Sequence, residues 1–168
     1  MISTVPVLHQ SPFLIVQDMM LTDSNGNGLL EPGETAEIGI RLINQGLDEA
    51  SEVSAEIEML NPYAEVSNAQ STYPNIPGDA GAVNTYPILI NVSYDCPNNT
   101  VLNFTVHVTS ASGEWTYPLS LMVQKPELHI ASYYINDAAE NGNGLADPGE
   151  TFDLVVNYAN GSALDAID

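Results

Sequence analysis

Residues 23–34 read D-S-N-G-N-G-L-L-E-P-G-E. The stretch matches every fixed position of the calcium-loop pattern D-x-[DN]-x-[DN]-G-x5-E, with Asp23 first and Glu34 twelfth. A calcium ion takes about six to eight oxygen ligands, and a tightly curled loop can aim alternate side chains at one point. The spacing therefore predicts a calcium site. The predicted ligands are side-chain oxygens of Asp23, Asn25, Asn27 and Glu34, the carbonyl of Leu29, and Glu31 directly or through water.

The flanks of this motif favour β-strands on both sides. Pro32 and Gly33 stand where a helix would begin, and residues 35–43, T-A-E-I-G-I-R-L-I, alternate between polar and apolar positions. We therefore predict a calcium loop that joins two strands. An alternative stays open here, because N-G-N-G and E-P-G-E are also typical turn sequences that need no metal.

A second copy of the motif favours the metal interpretation. Residues 135–150 read I-N-D-A-A-E-N-G-N-G-L-A-D-P-G-E, which repeats N-G-N-G-L and the P-G-E ending with two residues inserted. Counting from the front places Asp137 at the first ligand position, whereas counting back from Glu150 places Ala139 there. The sequence leaves this choice open. The predicted ligands of this copy are Asp137, Asn141, Asn143, Leu145, Asp147 and Glu150.

The charge balance is strongly acidic. The 168 residues include 22 Asp and Glu but only Arg41 and Lys125 as basic residues, which gives a formal net charge of −20. Such a surface repels nucleic-acid backbones and anionic membranes, so we predict neither partner. Divalent cations are natural counterions, although acidity also serves solubility in salty surroundings.

Other features of the sequence indicate an extracellular protein. Cys96 is the single cysteine, so an internal disulfide is excluded, and we expect a small buried side chain. No run of 18 apolar residues predicts a membrane span. The N-terminal residues lack the pattern of a signal peptide. We predict a secreted or cell-surface location, with any export signal elsewhere in a longer parent protein.

The chain contains an internal repeat of about 115 residues. Q-S-P-F-L-I-V at 10–16 matches Q-K-P-E-L-H-I at 124–130, and the two loops follow. We predict three segments. Residues 1–11 end a preceding repeat or form a linker, residues 12–124 form a complete module, and residues 125–168 begin a second module. We expect either a segment of a tandem array or a half-module completed by another chain.

Strand patterns recur at regular intervals through the complete module, and no segment has helical periodicity. About seven antiparallel strands predict an all-β, immunoglobulin-like β-sandwich. The hairpin turn S-A-S-G-E joins the last two strands, and two more strands flank the second loop. The predicted strands of the module are 13–21, 35–44, 51–60, 64–67, 84–94, 101–109 and 115–123.

The pattern D-x-N-x-N-G-x-L-x-P-G-E-T, followed by a strand and N-Q-G at 44–46, resembles repeated bacterial immunoglobulin-like modules of the CARDB-like kind. Such modules occur in surface proteins and beside secreted gingipain-like or subtilisin-like peptidases. The resemblance covers residue 12 to about residue 123 and restarts at Pro126. It implies an extracellular spacer or adhesion module whose calcium loop stiffens a strand connection.

We find no sequence signature of an enzyme. His9, His107 and His129 lack metal-ligand spacing, and neither a nucleophile elbow nor a phosphate-binding loop is present. We therefore predict a calcium-stabilised structural or adhesive repeat, a stiff spacer, stalk or fibre subunit that contacts neighbouring copies. Two alternatives stay open: an accessory glycan- or protein-binding module of a secreted enzyme, and assembly by β-strand complementation through residues 125–168. A sugar-stacking platform would use Trp115, Tyr117, Tyr133 and Tyr134.

Overall fold

The computed structural model describes residues 10–161, and every regular element in that range is a β-strand. This confirms the predicted all-β class. The chain forms two compact units, Met1–Gln124 (unit 1) and Lys125–Asp168 (unit 2). Unit 1 contains β1 Leu14–Thr22, β2 Thr35–Asn44, β3 Ser54–Glu58, β4 Ala64–Asn68, β5 Gln70–Thr72, β6 Gly81–Val83, β7 Ile88–Val92, β8 Thr100–Ser110 and β9 Gly113–Val123; unit 2 contains β10 Leu128–Asn136 and β11 Asp153–Asn160.

Two antiparallel sheets build unit 1. One has the order β1-β2-β7-β4, with β6 also paired to β2, and the other has the order β5-β3-β8-β9. Both sheets contribute side chains to a single core, as expected for a sandwich. In β2 the alternate residues Ala36, Ile38, Ile40 and Leu42 are fully buried. The apolar residues that alternate in the sequence are therefore the residues on the inner face of the sheet.

The described part of unit 1 has nine strands, whereas about seven were predicted for the module. The two additional strands, β5 and β6, lie between the predicted strands 64–67 and 84–94. Each is only three residues long, and neither Q-S-T nor G-A-V has the alternation of a longer strand. The segment between them nevertheless supplies the core residues Tyr73 and Ile76.

The predicted strand 84–94 is too long, since β7 begins at Ile88. The reason lies in Asn84, which turns its amide into the core. Its Oδ1 accepts the N–H of Ile40 at 2.6 Å, and its Nδ2 donates to the carbonyls of Ile38 and Tyr86. The side chain of Asn84 thus forms the hydrogen bonds with the backbone of β2 that a paired strand would otherwise form at this point.

Unit 2 is a two-stranded antiparallel hairpin of β10 and β11, as the sequence predicts for the strands around the second loop. Its register repeats that of β1 and β2. The pair Leu14 and Asn44 corresponds to Leu128 and Asn160, and a β-bulge follows Val16 in one hairpin and Ile130 in the other.

Cys96 is buried and unpaired, as expected. No helix in the described range has the length and hydrophobicity to cross a bilayer. The segments 1–9 and 162–168 lie outside the described residues, and with them most of the predicted end of a preceding repeat and the last part of the predicted second module.

Candidate metal loops

The first loop, residues 23–34, connects β1 to β2 and is organised around the carboxylate of Asp23. Asp23 is only 8% exposed. Its Oδ2 accepts the N–H of Asn27 at 2.8 Å, and its Oδ1 accepts the N–H of Gly28 at 3.1 Å. Gly28 has a φ of 80°, a conformation that glycine adopts without strain, so the chain can curl tightly around the carboxylate.

Burial and hydrogen bonding act in opposite directions on Asp23. Desolvation raises its pKa, but the backbone N–H groups of Asp23, Gly28, Asn27 and Gly26 outweigh that effect and hold the pKa below its usual range. A carboxylate has about four acceptor positions, and two of them take the N–H groups of Asn27 and Gly28 at hydrogen-bond distance, so lone pairs remain for a cation.

The side chains at the third, fifth and ninth positions of the first loop converge. The Nδ2 atoms of Asn25 and Asn27 donate to Oε2 of Glu31 at 2.7 and 2.9 Å. Their Oδ1 atoms accept the N–H groups of Asn27 and Leu29, two residues further on. The N–H donors of Asn25 and Asn27 place partial positive charge against the carboxylate of Glu31. A cation would take the place of these donors if the two side-chain amides rotated and turned their oxygens towards it.

Glu34 closes the loop from its far end. Its Oε2 accepts the N–H of Glu31 at 2.9 Å, and its Oε1 accepts the hydroxyl of Ser24 at 3.1 Å. Sequence reasoning missed Ser24, because the motif allows any residue at the second position. The available signal was a hydroxyl directly after the first acidic residue.

The first loop is anchored in unit 1 by Leu30, which is 1% exposed and belongs to the core. Leu30 forms a parallel bridge with Val123 at the end of β9. Its carbonyl also accepts the N–H of Gln124, the last residue of unit 1, at 2.8 Å. On its other side, Gly33 donates to the carbonyl of Val92. The loop is therefore fastened both to β7 and to the residue where unit 1 ends.

The second loop, residues 137–150, repeats most of this hydrogen bonding despite its two extra residues. Both carboxylate oxygens of Asp137 accept the N–H of Gly144, the equivalent of Gly28, at 3.2 and 3.1 Å, whereas Asn143 donates its N–H to Asn141 and not to Asp137. The insertion forms a turn in which Glu140 donates to the carbonyl of Asp137. Asp137, and not Ala139, thus occupies the place of Asp23.

The remaining side chains of the second loop also correspond to those of the first. The Nδ2 atoms of Asn141 and Asn143 donate to Oδ2 of Asp147 at 3.0 and 2.8 Å. Hydrogen bonds from Asn143 and then from Asn141 lower the pKa of Asp147. Glu150 accepts the N–H of Asp147 and also a short hydrogen bond from Asn141. Leu145 donates its N–H to Asn143, as Leu29 does to Asn27.

The chemistry of the donor set fits calcium. No group of three or more His, Cys, Asp and Glu side chains within residues 10–161 is arranged to hold a metal on those donors alone. Both loops would instead combine carboxylates with amide and carbonyl oxygens, the hard donors that calcium prefers in a flexible site.

The histidine and aromatic side chains that the sequence offers as other candidate sites lie in different surroundings. His107 lies on an exposed face with its Nε2 3.4 Å from a carboxylate oxygen of Glu58. Trp115 and Tyr117 pack against the core of unit 1, and Trp115 makes an edge contact with Phe13. Tyr133 and Tyr134 are neighbours on β10 and therefore point to opposite faces. Tyr133 and Tyr134 therefore cannot both belong to one flat platform.

Comparison of the chain with models of protein families and with curated protein sequences finds no match. The interpretation of the two loops rests on their sequence and geometry.

Proposed function

We propose that this chain is a calcium-stabilised structural or adhesive repeat of a longer extracellular protein, acting as a stiff spacer, stalk or fibre subunit. The proposed metal ligands of the first loop are Asp23, Asn25, Asn27, Leu29, Glu31 and Glu34, and those of the second are Asp137, Asn141, Asn143, Leu145, Asp147 and Glu150. Bound calcium would supply positive charge that draws these oxygens together.

The observation that carries the proposal is the attachment of the first loop to the end of unit 1. The backbone of Leu30 bridges to Val123 and accepts a hydrogen bond from Gln124. An ion that holds the loop in one conformation would also hold the chain where it leaves the unit. In a tandem array, this reduces bending between successive units, and Pro126 restricts the backbone just beyond.

The net charge gives the same ion a second effect. At −20 the chain repels itself, and self-repulsion destabilises a compact state. Each bound calcium ion would neutralise part of that charge at a loop whose proposed ligands include three carboxylates. Acidity would then make stability depend on the calcium concentration outside the cell.

The experiment is thermal unfolding of the full chain with calcium or with a chelator. A ligand that binds only the folded state stabilises it by about 2.7 kcal/mol at 100 times its dissociation constant. We expect calcium to raise the melting temperature of the wild type and to raise it much less in Glu34→Gln. The matched control is Glu56→Gln, an exposed change in β3 of the second sheet that removes the same charge outside the loops.

Two results would contradict the proposal. One is a melting temperature that calcium leaves unchanged. The other is an equal response in Glu34→Gln and Glu56→Gln, which would indicate general charge screening instead of a site.

A second candidate function, assembly by strand complementation, is favoured by the exposed apolar face of β10 and β11. Leu128, Ile130, Tyr133, Leu154 and Tyr158 are 58 to 72% exposed. By the shared register they correspond to Leu14, Val16, Met19, Ile38 and Leu42, which face the core of unit 1. The occupant that we propose is the β10–β11 face of a second copy, because two identical apolar faces can cover each other, whereas the second sheet of unit 1 is already covered by β1 and β2.

Adjacent tyrosines provide the test. Tyr133 lies on the face equivalent to the core, whereas Tyr134 corresponds to Met20, which is on the outer face of β1. We expect size-exclusion chromatography with light scattering to show association of the wild type and of Tyr134→Asp, but less of Tyr133→Asp. A monomeric wild type at high concentration would exclude this function.

A further inference from the structure

We propose that Asn141 is a site of spontaneous deamidation, and that its conversion to aspartate turns the second loop into a stronger cation site. In this reaction the backbone nitrogen of the following glycine attacks the side-chain amide carbon. A C–N bond forms, ammonia leaves, and a succinimide ring results. Water then opens the ring to aspartate or isoaspartate. The net change consumes one water and releases one ammonia, and neither a metal nor an enzyme takes part.

The loops contain the residue pairs that favour this reaction. Asn-Gly occurs at 25–26, 27–28, 141–142 and 143–144, and a fifth pair stands at 160–161. The loop glycines present no steric barrier to the attack, since a Cβ at any of the four would meet nothing within 4 Å. The attacking nitrogen must lose its proton, so its hydrogen bonding decides which pair reacts.

Three of the five glycine N–H groups are held by an acceptor, and a fourth, that of Gly26, helps to lower the pKa of Asp23. Gly28 donates to the carboxylate of Asp23, and Gly144 donates to that of Asp137. A carboxylate disfavours loss of the proton, because it would face a developing negative charge on nitrogen. Gly161 donates to the carbonyl of Glu127 at 2.8 Å.

Gly142 differs from the other four. Its N–H has no hydrogen-bond acceptor among the residues that the structure describes, and Asn141 is exposed. The pair Asn141 and Gly142 is therefore the one in which the nucleophile is least restrained.

The product would change the electrostatics of the second loop. The amide of Asn141 donates to Asp147 and to Glu150, so its N–H groups offset two carboxylates. Deamidation to aspartate removes both donors and adds a third carboxylate at the same point. The three negative charges then repel one another unless a cation lies between them, and calcium affinity rises with the charge of the ligands.

The experiment is incubation of the full chain at mildly alkaline pH, followed by peptide mapping with mass spectrometry that separates aspartate from isoaspartate. We expect conversion at Asn141 to exceed that at Asn160 and at Asn143 several-fold. Asn160 is the internal control, because its glycine N–H is held by a carbonyl. Equal conversion at Asn141 and Asn160 would overturn the proposal.

Calcium titration of Asn141→Asp tests the consequence, which rests on the proposed function. We expect several-fold tighter binding at the second loop than in the wild type, and unchanged binding at the first. Unchanged affinity with preferential reaction at Asn141 would reject the stronger cation site but retain the deamidation site. Failure of the wild type itself to bind calcium would reject the proposed function instead.

Discussion

The hairpins β1–β2 and β10–β11 share their register, their bulge position and most hydrogen bonds of their loops, yet one is buried and the other exposed. Ile38 is fully buried in unit 1, whereas the corresponding Leu154 is 59% exposed. The hairpin and its loop are thus specified locally, by strand alternation and by the N-G-N-G-L sequence. Burial depends on distant strands that pack on the hairpin.

The loops differ in the same way. Leu30 fixes the first loop to the core, but the equivalent residue in the second loop is the exposed Ala146. The hydrogen bonds around Asp23 and Asp137 form in both. Loop geometry therefore does not require the anchor, whereas coupling of the loop to the unfolding of a unit does.

The largest expected effect in this comparison comes from removing the anchor. Leu30→Ala should destabilise unit 1 by about 2–5 kcal/mol, because it empties space in a closed core. Leu145→Ala removes the same atoms from a side chain that is 62% exposed, and should change stability by less than about 0.5 kcal/mol. Urea unfolding of both variants measures the difference. Similar losses in the two would show that the loops are anchored alike.

The buried asparagine at the end of β2 should give the next largest effect. Asn44 is fully buried, accepts the N–H groups of Phe13 and Gly46, and donates to the carbonyls of Asp48 and Ile76. Asn44→Ala should therefore cost about 1–3 kcal/mol, because it leaves buried backbone groups without a partner, although the carbonyl of Ile76 keeps the N–H of Ala50.

The matched variant is Asn160→Ala, at the exposed equivalent position in β11. Its effect on urea unfolding of unit 1 should be negligible. A loss as large as that of Asn44→Ala would contradict the idea that burial, and not the hairpin itself, makes this asparagine important.

The smallest effect concerns Tyr73, which donates to the carbonyl of Ile40 on β2. Burial raises the pKa of Tyr73. The stability from its neutral form is therefore fully present below about pH 10, its unfolded value, and is lost as pH rises towards the folded value, by at most about 1.4 kcal/mol per pH unit. Urea midpoints between neutral and alkaline pH should fall less steeply in Tyr73→Phe than in the control Tyr86→Phe.

An equal slope in both variants would show that Tyr73 is not protected from water. Among the described residues, no side chain covers the exposed hairpin β10–β11 as Tyr73 covers β2. This measurement therefore compares the two hairpins at a single side chain.

Much of the fold follows from the sequence because long strands with one buried face alternate visibly. The bounds of β2 are those predicted, and β8 differs from its prediction by one residue at each end. Short strands such as β5 carry no such signal. Buried amides are also missed, because Asn44 and Asn84 are polar and their role depends on backbone groups far away in sequence.

The candidate site could be predicted as far as its motif reaches. The spacing from Asp23 to Glu34 gives the loop, but the choice between Asp137 and Ala139 needed the turn that absorbs the two inserted residues. The burial of Leu30, which anchors the first loop, could not be predicted for a different reason. Leu30 stands within a polar loop, and only the approach of β9 shows that it is buried.

The most direct test of the central claim is calorimetric titration of calcium into the full chain and into Glu34→Gln, Glu150→Gln and the double variant. We predict that the wild type binds one ion in each loop, that each single variant loses or greatly weakens one of the two sites, and that the double variant shows neither. Binding that is absent from the wild type, or that persists unchanged in the double variant, would contradict the account.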